Sequence, residues 1–171
     1  PLAGKREVMQ LGGWDHDRER VFLLSTTHGA ETHALAAATA TMNFYAEHDV
    51  IGRLHAQGRR LQEGCTQVAR AHGLQDHFQV TGRPCNLVYV TRDADGRPSQ
   101  EFRTLFMQEM LKSGVLGPSF VVSYSHSNDD IDRTVEAVSR ALEPYATGLS
   151  DGVERVLTSR PVRPVDRRLA P

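Results

Sequence analysis

Three features of this 171-residue chain predict an α/β architecture. Val21-Phe22-Leu23-Leu24 is an unbroken apolar run, as in a strand covered on both faces. Leu35, Ala38, Met42 and Tyr45 recur at the spacing of one helical face. Residues 77–81 and 86–91 then read as two strands around Gly82-Arg83-Pro84. Strands and helices therefore intermix, and no internal repeat is visible.

Taken in order, residues 5–9 predict a short helix closed by Gly12-Gly13, and residues 14–20 a charged loop. The strand at 21–24 leads through a hydroxyl-rich turn into an Ala-rich helix over 31–47. Asp49 is a natural N-cap for the next helix. Ile51, Leu54, Gly58, Leu61, Cys65 and Val68 share a face of it, and Gly73 supplies the stop. Gly58 and Gly64 inside this helix argue for packing against the domain rather than a coiled coil. After the strand pair, Asp93-Ala94-Asp95-Gly96-Arg97-Pro98 forms a turn and Ser99 caps a helix. That helix points Phe102, Leu105, Phe106 and Met110 inward and ends at Gly114. Residues 119–123 predict a further strand. Ser127-Asn128-Asp129-Asp130 resembles a capping box with Asp in place of Glu, opening a helix with Ile131, Val135, Val138 and Leu142 on one face. Past Pro144 the periodicity fades, apart from a possible turn at 153–157, and the Pro- and Arg-rich end predicts disorder.

The composition describes a globular chain, with 39% hydrophobic and 24% charged residues. A net charge of −1, from 20 basic and 21 acidic residues, points to no polyelectrolyte partner. Two isolated cysteines, Cys65 and Cys85, fit a reducing, cytoplasmic setting without a disulfide framework. No apolar run reaches membrane-spanning length and no leader is visible. The chain opens Pro1-Leu2-Ala3-Gly4 without an initiator Met, so a partial protein is expected.

The turn Ser25-Thr26-Thr27-His28-Gly29-Ala30-Glu31 carries the strongest chemical signal. A strand that ends in hydroxyls and glycine at a helix start gathers the donors a phosphate needs. Ser and Thr are also common helix caps, so the turn alone leaves both readings open.

Three blocks together resemble the C-terminal portion of a class III, fold type I pyridoxal-phosphate aminotransferase of glutamate-1-semialdehyde aminomutase type. Ala3-Gly4-Lys5-Arg6-Glu7-Val8-Met9 resembles the segment after the cofactor lysine. The turn at 25–31 resembles the family's Ser/Gly-Thr-x-Ser/Gly-Gly-Asn/Glu. Gly114-Val115-Leu116-Gly117-Pro118-Ser119, with residues 123–132 after it, resembles the closing strand and last helix. The resemblance covers about residues 3–142 in family order. It implies three parts: residues 1–47 as the end of the large cofactor domain, 48–146 as a small C-terminal α/β domain, and 147–171 as a poorly ordered tail. It also implies a homodimer whose site is shared across the interface, with small-molecule amino donors and carbonyl acceptors.

In such enzymes the threonine of the turn donates to the pyridoxal 5'-phosphate of the opposite subunit. By resemblance this role falls on Thr27, with Thr26, His28 and Gly29 as its neighbours. The Schiff-base lysine, the Asp for the pyridine nitrogen and the aromatic ring face are expected before Pro1. Lys5 and Lys112, the only lysines, read as surface residues, so the chain alone is expected to be inactive in transamination. It could then act as an interaction or structural module. The aminomutase proper carries an acidic residue soon after its Pro-Ser. Here Pro118-Ser119 runs into Phe120-Val121-Val122, which favours amino transfer over the mutase reaction.

Other groupings are weaker. His28, Glu31 and His33 lack helical ligand spacing and a third ligand, so no metal is expected. Ser25, His28 and Asp49 lack a nucleophile-elbow motif. His126 reads as a local hydrogen-bonding residue. Arg53, Arg59, Arg60 and Arg70 read as a solvated face, since no nucleic-acid module accompanies them. Arg83 and Arg92 are candidates for a substrate carboxylate, with nothing to single out either.

Overall fold

The computed structural model describes residues 4–12, 17 and 31–162. The predicted strand at 21–24 lies outside them. The chain divides into two units, Pro1–His48 and Asp49–Pro171.

In the first unit, α1 (Arg6–Met9) runs into a 3-10 turn, Gln10–Gly12. Helix α2 (Thr32–Glu47) follows the predicted bounds within a residue. Its expected apolar face is not a buried one: Leu35, Met42 and Tyr45 are exposed, and no residue of α2 is buried. Periodicity locates a helix but does not supply the surface that would cover it.

The second unit holds the core. Asp49 caps α3 (Val50–Ala71) by accepting the Gly52 N–H at 2.9 Å. Two helices stop by the same device. After α3, Gly73 N–H reaches Arg70 O and Leu74 N–H reaches Ala69 O. After α4 (Gln100–Lys112), Gly114 N–H reaches Leu111 O and Val115 N–H reaches Met110 O. The glycines sit at φ +70° and +77°, a region other residues enter at a cost.

Between these helices, β1 (Phe78–Arg83) and β2 (Asn86–Thr91) form an antiparallel hairpin in register from Phe78↔Thr91 to Arg83↔Asn86, so Pro84-Cys85 makes the turn. The strand expected over 119–123 does not form. A single antiparallel bridge joins Leu87 and Phe120, and backbone groups on either side of it take side-chain partners. The Gly117 and Pro118 carbonyls take side-chain donors from Tyr89 and Arg103, and the Ser123 N–H goes to His126 Nδ1.

The Ser127 box opens α5 (Asn128–Asp151): Ser127 Oγ accepts the Asp130 N–H while Asp130 accepts the Ser127 N–H at 2.8 Å. α5 passes through Pro144, against the expectation that structure fades there. Proline removes one helical hydrogen bond, but Tyr145 and Gly148 continue the face that Ala141 and Leu142 bury. The tail expected from residue 147 is likewise corrected as far as 162. Gln108 Nε2 donates to Val156 O and its Oε1 accepts from Thr158, while Thr104 Oγ1 accepts the Val162 N–H. Together these four contacts hold 156–162 against α4.

Leu61, Cys65, Phe78, Leu87, Tyr89, Phe106, Met110, Phe120, Val138 and Leu142 are among the residues of one continuous core. The Phe106 ring lies 4.7 Å from Phe78 and 4.8 Å from Tyr89, so α4 is keyed to the hairpin by aromatic packing. No helix among the described residues is long and apolar enough to cross a membrane.

Candidate functional site

The predicted phosphate turn, with Thr26, Thr27, His28 and Gly29, lies outside the described residues, as does Ser25. What is described is the helix the turn opens. Glu31 is the N-cap of α2 in extended conformation, and its own side chain makes no cap hydrogen bond among the described residues. His33 Nε2 stands 3.2 Å from Glu31 Oε2, so these two members of the proposed metal grouping meet each other. Asp49, offered as a triad member, is engaged as the cap of α3.

The third block of the resemblance, within residues 114–132, is fully described, and its first part is the stretch 114–127. That stretch forms a loop that three elements grip by its backbone. Arg103 of α4 donates from Nη2 to Pro118 O at 2.7 Å, with its guanidinium 4.8 Å above the Tyr89 ring. Tyr89 of β2 donates its hydroxyl to Gly117 O at 2.9 Å. Burial pushes the Tyr89 phenol above its ordinary range, partly offset by Arg103, so it stays a donor at neutral pH. Leu87 and Phe120 exchange N–H···O bonds of 3.1 and 3.2 Å.

The far end is held from α3. Arg53 donates from Nε to Tyr124 O at 3.0 Å and from Nη2 to His126 O at 3.1 Å, and its guanidinium lies 5.2 Å from the Tyr124 ring centre. One turn along, buried Gln57 donates from Nε2 to the same His126 carbonyl. Gln57 Oε1 has no hydrogen-bond partner among the described residues. His126 Nδ1 accepts the Ser123 N–H at 3.1 Å, the local role the sequence suggested.

Arg53, Arg59, Arg60 and Arg70 are all exposed, as a solvated face predicts, and two of them also hold other parts of the fold. Arg53 is a backbone clamp. Arg60 forms a two-pronged pair with Asp132 at 2.7 and 2.6 Å, tying α3 to α5, raising the guanidinium's pKa and lowering the carboxyl's. Both groups are exposed, so the pair adds little stability. Arg92 serves its own turn, donating from Nη1 to Gly96 O, and Arg83 is exposed at the end of β1. Lys112 pairs with Glu109 at 2.6 Å, and Lys5 is exposed before α1. Among the described residues no three metal-ligating side chains converge.

The sequence held a signal for Gln57. It falls three residues after Leu54 and four before Leu61, in the apolar stripe of α3. An amide in such a stripe must bond to something buried with it. The carbonyls it and Arg53 would find were not readable.

Comparison with known proteins places the chain among relatives. It is 30% identical to glutamate-1-semialdehyde 2,1-aminomutase of Thermomicrobium roseum over 67% of its own length and 29% of that protein. It is 26% identical to 3-aminobutyryl-CoA aminotransferase of Cloacimonas acidaminovorans over 82% of its length and 33% of that protein. A solved structure of the FumI protein of Sphingopyxis sp. MTA144, in its PLP internal aldimine form, matches 81% of the chain and 34% of that chain, with a TM-score of 0.63 and 23% identity. This likeness gives the fold: an α/β C-terminal part of fold type I. The chain thus spans about a third of the length of these proteins. No protein-family model matches it.

Proposed function

We propose that this chain, which resembles the C-terminal portion of class III, fold type I pyridoxal-phosphate aminotransferases, supplies one edge of a cofactor site and one wall of a substrate cleft. The observation that carries the reading is the ordered set of blocks at 3–9, 25–31 and 114–132, supported by the relatives and by the fold. Pyridoxal 5'-phosphate, when bound, supplies an electron sink for bond cleavage at the carbon that bears the amino group.

The donors on this chain suit its phosphate. Thr27 would donate its hydroxyl to that phosphate, with Thr26 and the His28 and Gly29 N–H groups as its neighbours in sequence. The start of α2 supports the same role, because first-turn N–H groups and a positive dipole end favour an anion. In the dimer the phosphate served by Thr27 belongs to the partner subunit's site. Residues 114–127 form the C-terminal wall of the cleft, and their clamped backbone limits movement against a bound substrate. Neither lysine of this chain suits the anchoring role, since Lys5 is exposed before α1 and Lys112 pairs with Glu109. The reaction is of the aminotransferase or aminomutase kind, and the lack of a carboxylate after Pro118-Ser119 in Phe120-Val121-Val122 weighs against the mutase reaction.

In the complete protein, Thr27→Ala weakens cofactor affinity by about 1.5–3 kcal/mol through loss of a charge-assisted hydrogen bond. Equilibrium titration followed by cofactor absorbance measures this, and unchanged affinity overturns the phosphate role. Borohydride reduction of the loaded protein, followed by peptide mapping, locates the modified lysine. Modification of Lys5 or Lys112 contradicts the proposal. A complete protein that retains no cofactor supports the alternative, an inactive interaction module.

A further inference from the structure

The clamped loop encloses a recess of about 150 Å³ against α3 and the start of α5. Its floor is apolar and buried: Leu61, Phe120, Val122 and Ile131 are each no more than 5% exposed. Its rim carries Leu116 and Val121, left 76% and 55% exposed. No Asp, Glu, Lys or Arg lines it, and the loop has no such residue from Gly114 to Ser127. The one titratable lining residue, His126, has Nδ1 engaged with the Ser123 N–H.

A single exposed leucine carries no message. Two exposed apolar side chains at the rim of an apolar recess, on a backbone held by Arg53, Tyr89 and Arg103, do. A mobile loop could fold such side chains away, whereas a clamped one keeps them presented. Ser119, His126 and Thr134 also line the recess, and its volume suits a benzene-sized guest. A carboxylate or ammonium entering it would lose its hydration without finding a countercharge.

We infer that this recess receives the uncharged apolar end of the amino substrate, a short alkyl or phenyl group, and rejects a second carboxylate. The inference rests on the proposal that residues 114–127 wall the cleft.

Binding is read on the 171-residue chain by methyl NMR, with n-pentylamine and glutamate as probes. n-Pentylamine shifts the Leu116, Val121 and Ile131 methyl signals saturably, and glutamate leaves them in place. Leu116→Asp, at a 76% exposed position where folding is not at stake, and Val121→Asp each weaken n-pentylamine binding about tenfold or more. No shift, as when another segment of the chain fills the recess, or an equal response to glutamate, overturns the inference. The two proposals separate in the complete protein. Retained cofactor with glutamate preferred over n-pentylamine as amino donor defeats the recess and spares the cofactor reading. Selective n-pentylamine binding with no cofactor retained supports the recess as an apolar site and defeats the cofactor reading.

Discussion

Tyr145 shows how much one side chain organises here. It is fully buried in α5, and its hydroxyl donates to Arg92 O at 2.7 Å, lies 3.1 Å from His77 O, and accepts the Arg92 N–H at 2.9 Å. It thereby joins α5 to the end of β2 and the start of β1. Tyr145→Phe removes the donor to Arg92 O, while the Arg92 N–H keeps His77 O at 2.8 Å, and is expected to cost about 0.5–1.5 kcal/mol, measured by urea unfolding. Cys65 is the second case. Burial pushes its thiol from 9.0 up to about 12. Above pH 9 the unfolded thiol ionises while the folded one does not, so the unfolded state binds fewer protons. Stability falls from pH 9 toward 12 on this account, and Cys65→Ala flattens that fall. In the native protein iodoacetamide at pH 8 is expected to label the half-buried Cys85 and spare Cys65, as peptide mapping would show.

At the scale of elements, the glycines of α3 explain why this helix is not a coiled-coil strand. A Cβ on Gly58 would stand 1.7 Å from Pro84 O, so the hairpin turn presses directly on the helix backbone. Gly58→Ala must displace backbone rather than a side chain, and is expected to destabilise by about 1–3 kcal/mol or more in thermal or urea unfolding. Gly64 faces Val135 of α5, a side chain with some freedom to move, so Gly64→Ala costs less. The helix ends were legible because caps act within a few residues: Asp49, Ser99, Ser127, Gly73 and Gly114 all do what their types suggest. The strand at 119–123 was misread because its apolar alternation is real, with Phe120 and Val122 buried and Val121 exposed. Alternation reports which way side chains point, whereas a strand also needs a neighbour with free backbone groups.

For the molecule as a whole, the described core and the apolar residues packed on it lie in the second unit, from Leu54 to Leu157. Residues 49–162 expressed alone are therefore expected to unfold in one cooperative transition with a midpoint within a few degrees of the full chain. Calorimetry tests this, and a broad, non-cooperative melt would show that the unit depends on the rest. The first unit buries none of its helical residues among those described, so its apolar pattern on α2 is unspent within this chain's own described core.

The helices, their caps and the inward faces of α3, α4 and α5 were determined by the sequence itself, because those signals act within one or two turns of the chain. The ordered blocks also pointed to a phosphate turn at Thr27. The tertiary structure decided what the closing segment is: a clamped loop with an apolar recess rather than a strand. Its holders, Arg53 and Gln57, meet the His126 carbonyl across 73 and 69 residues. Carbonyl acceptors are chemically identical at every residue, so only folding can say which of them a distant arginine will find.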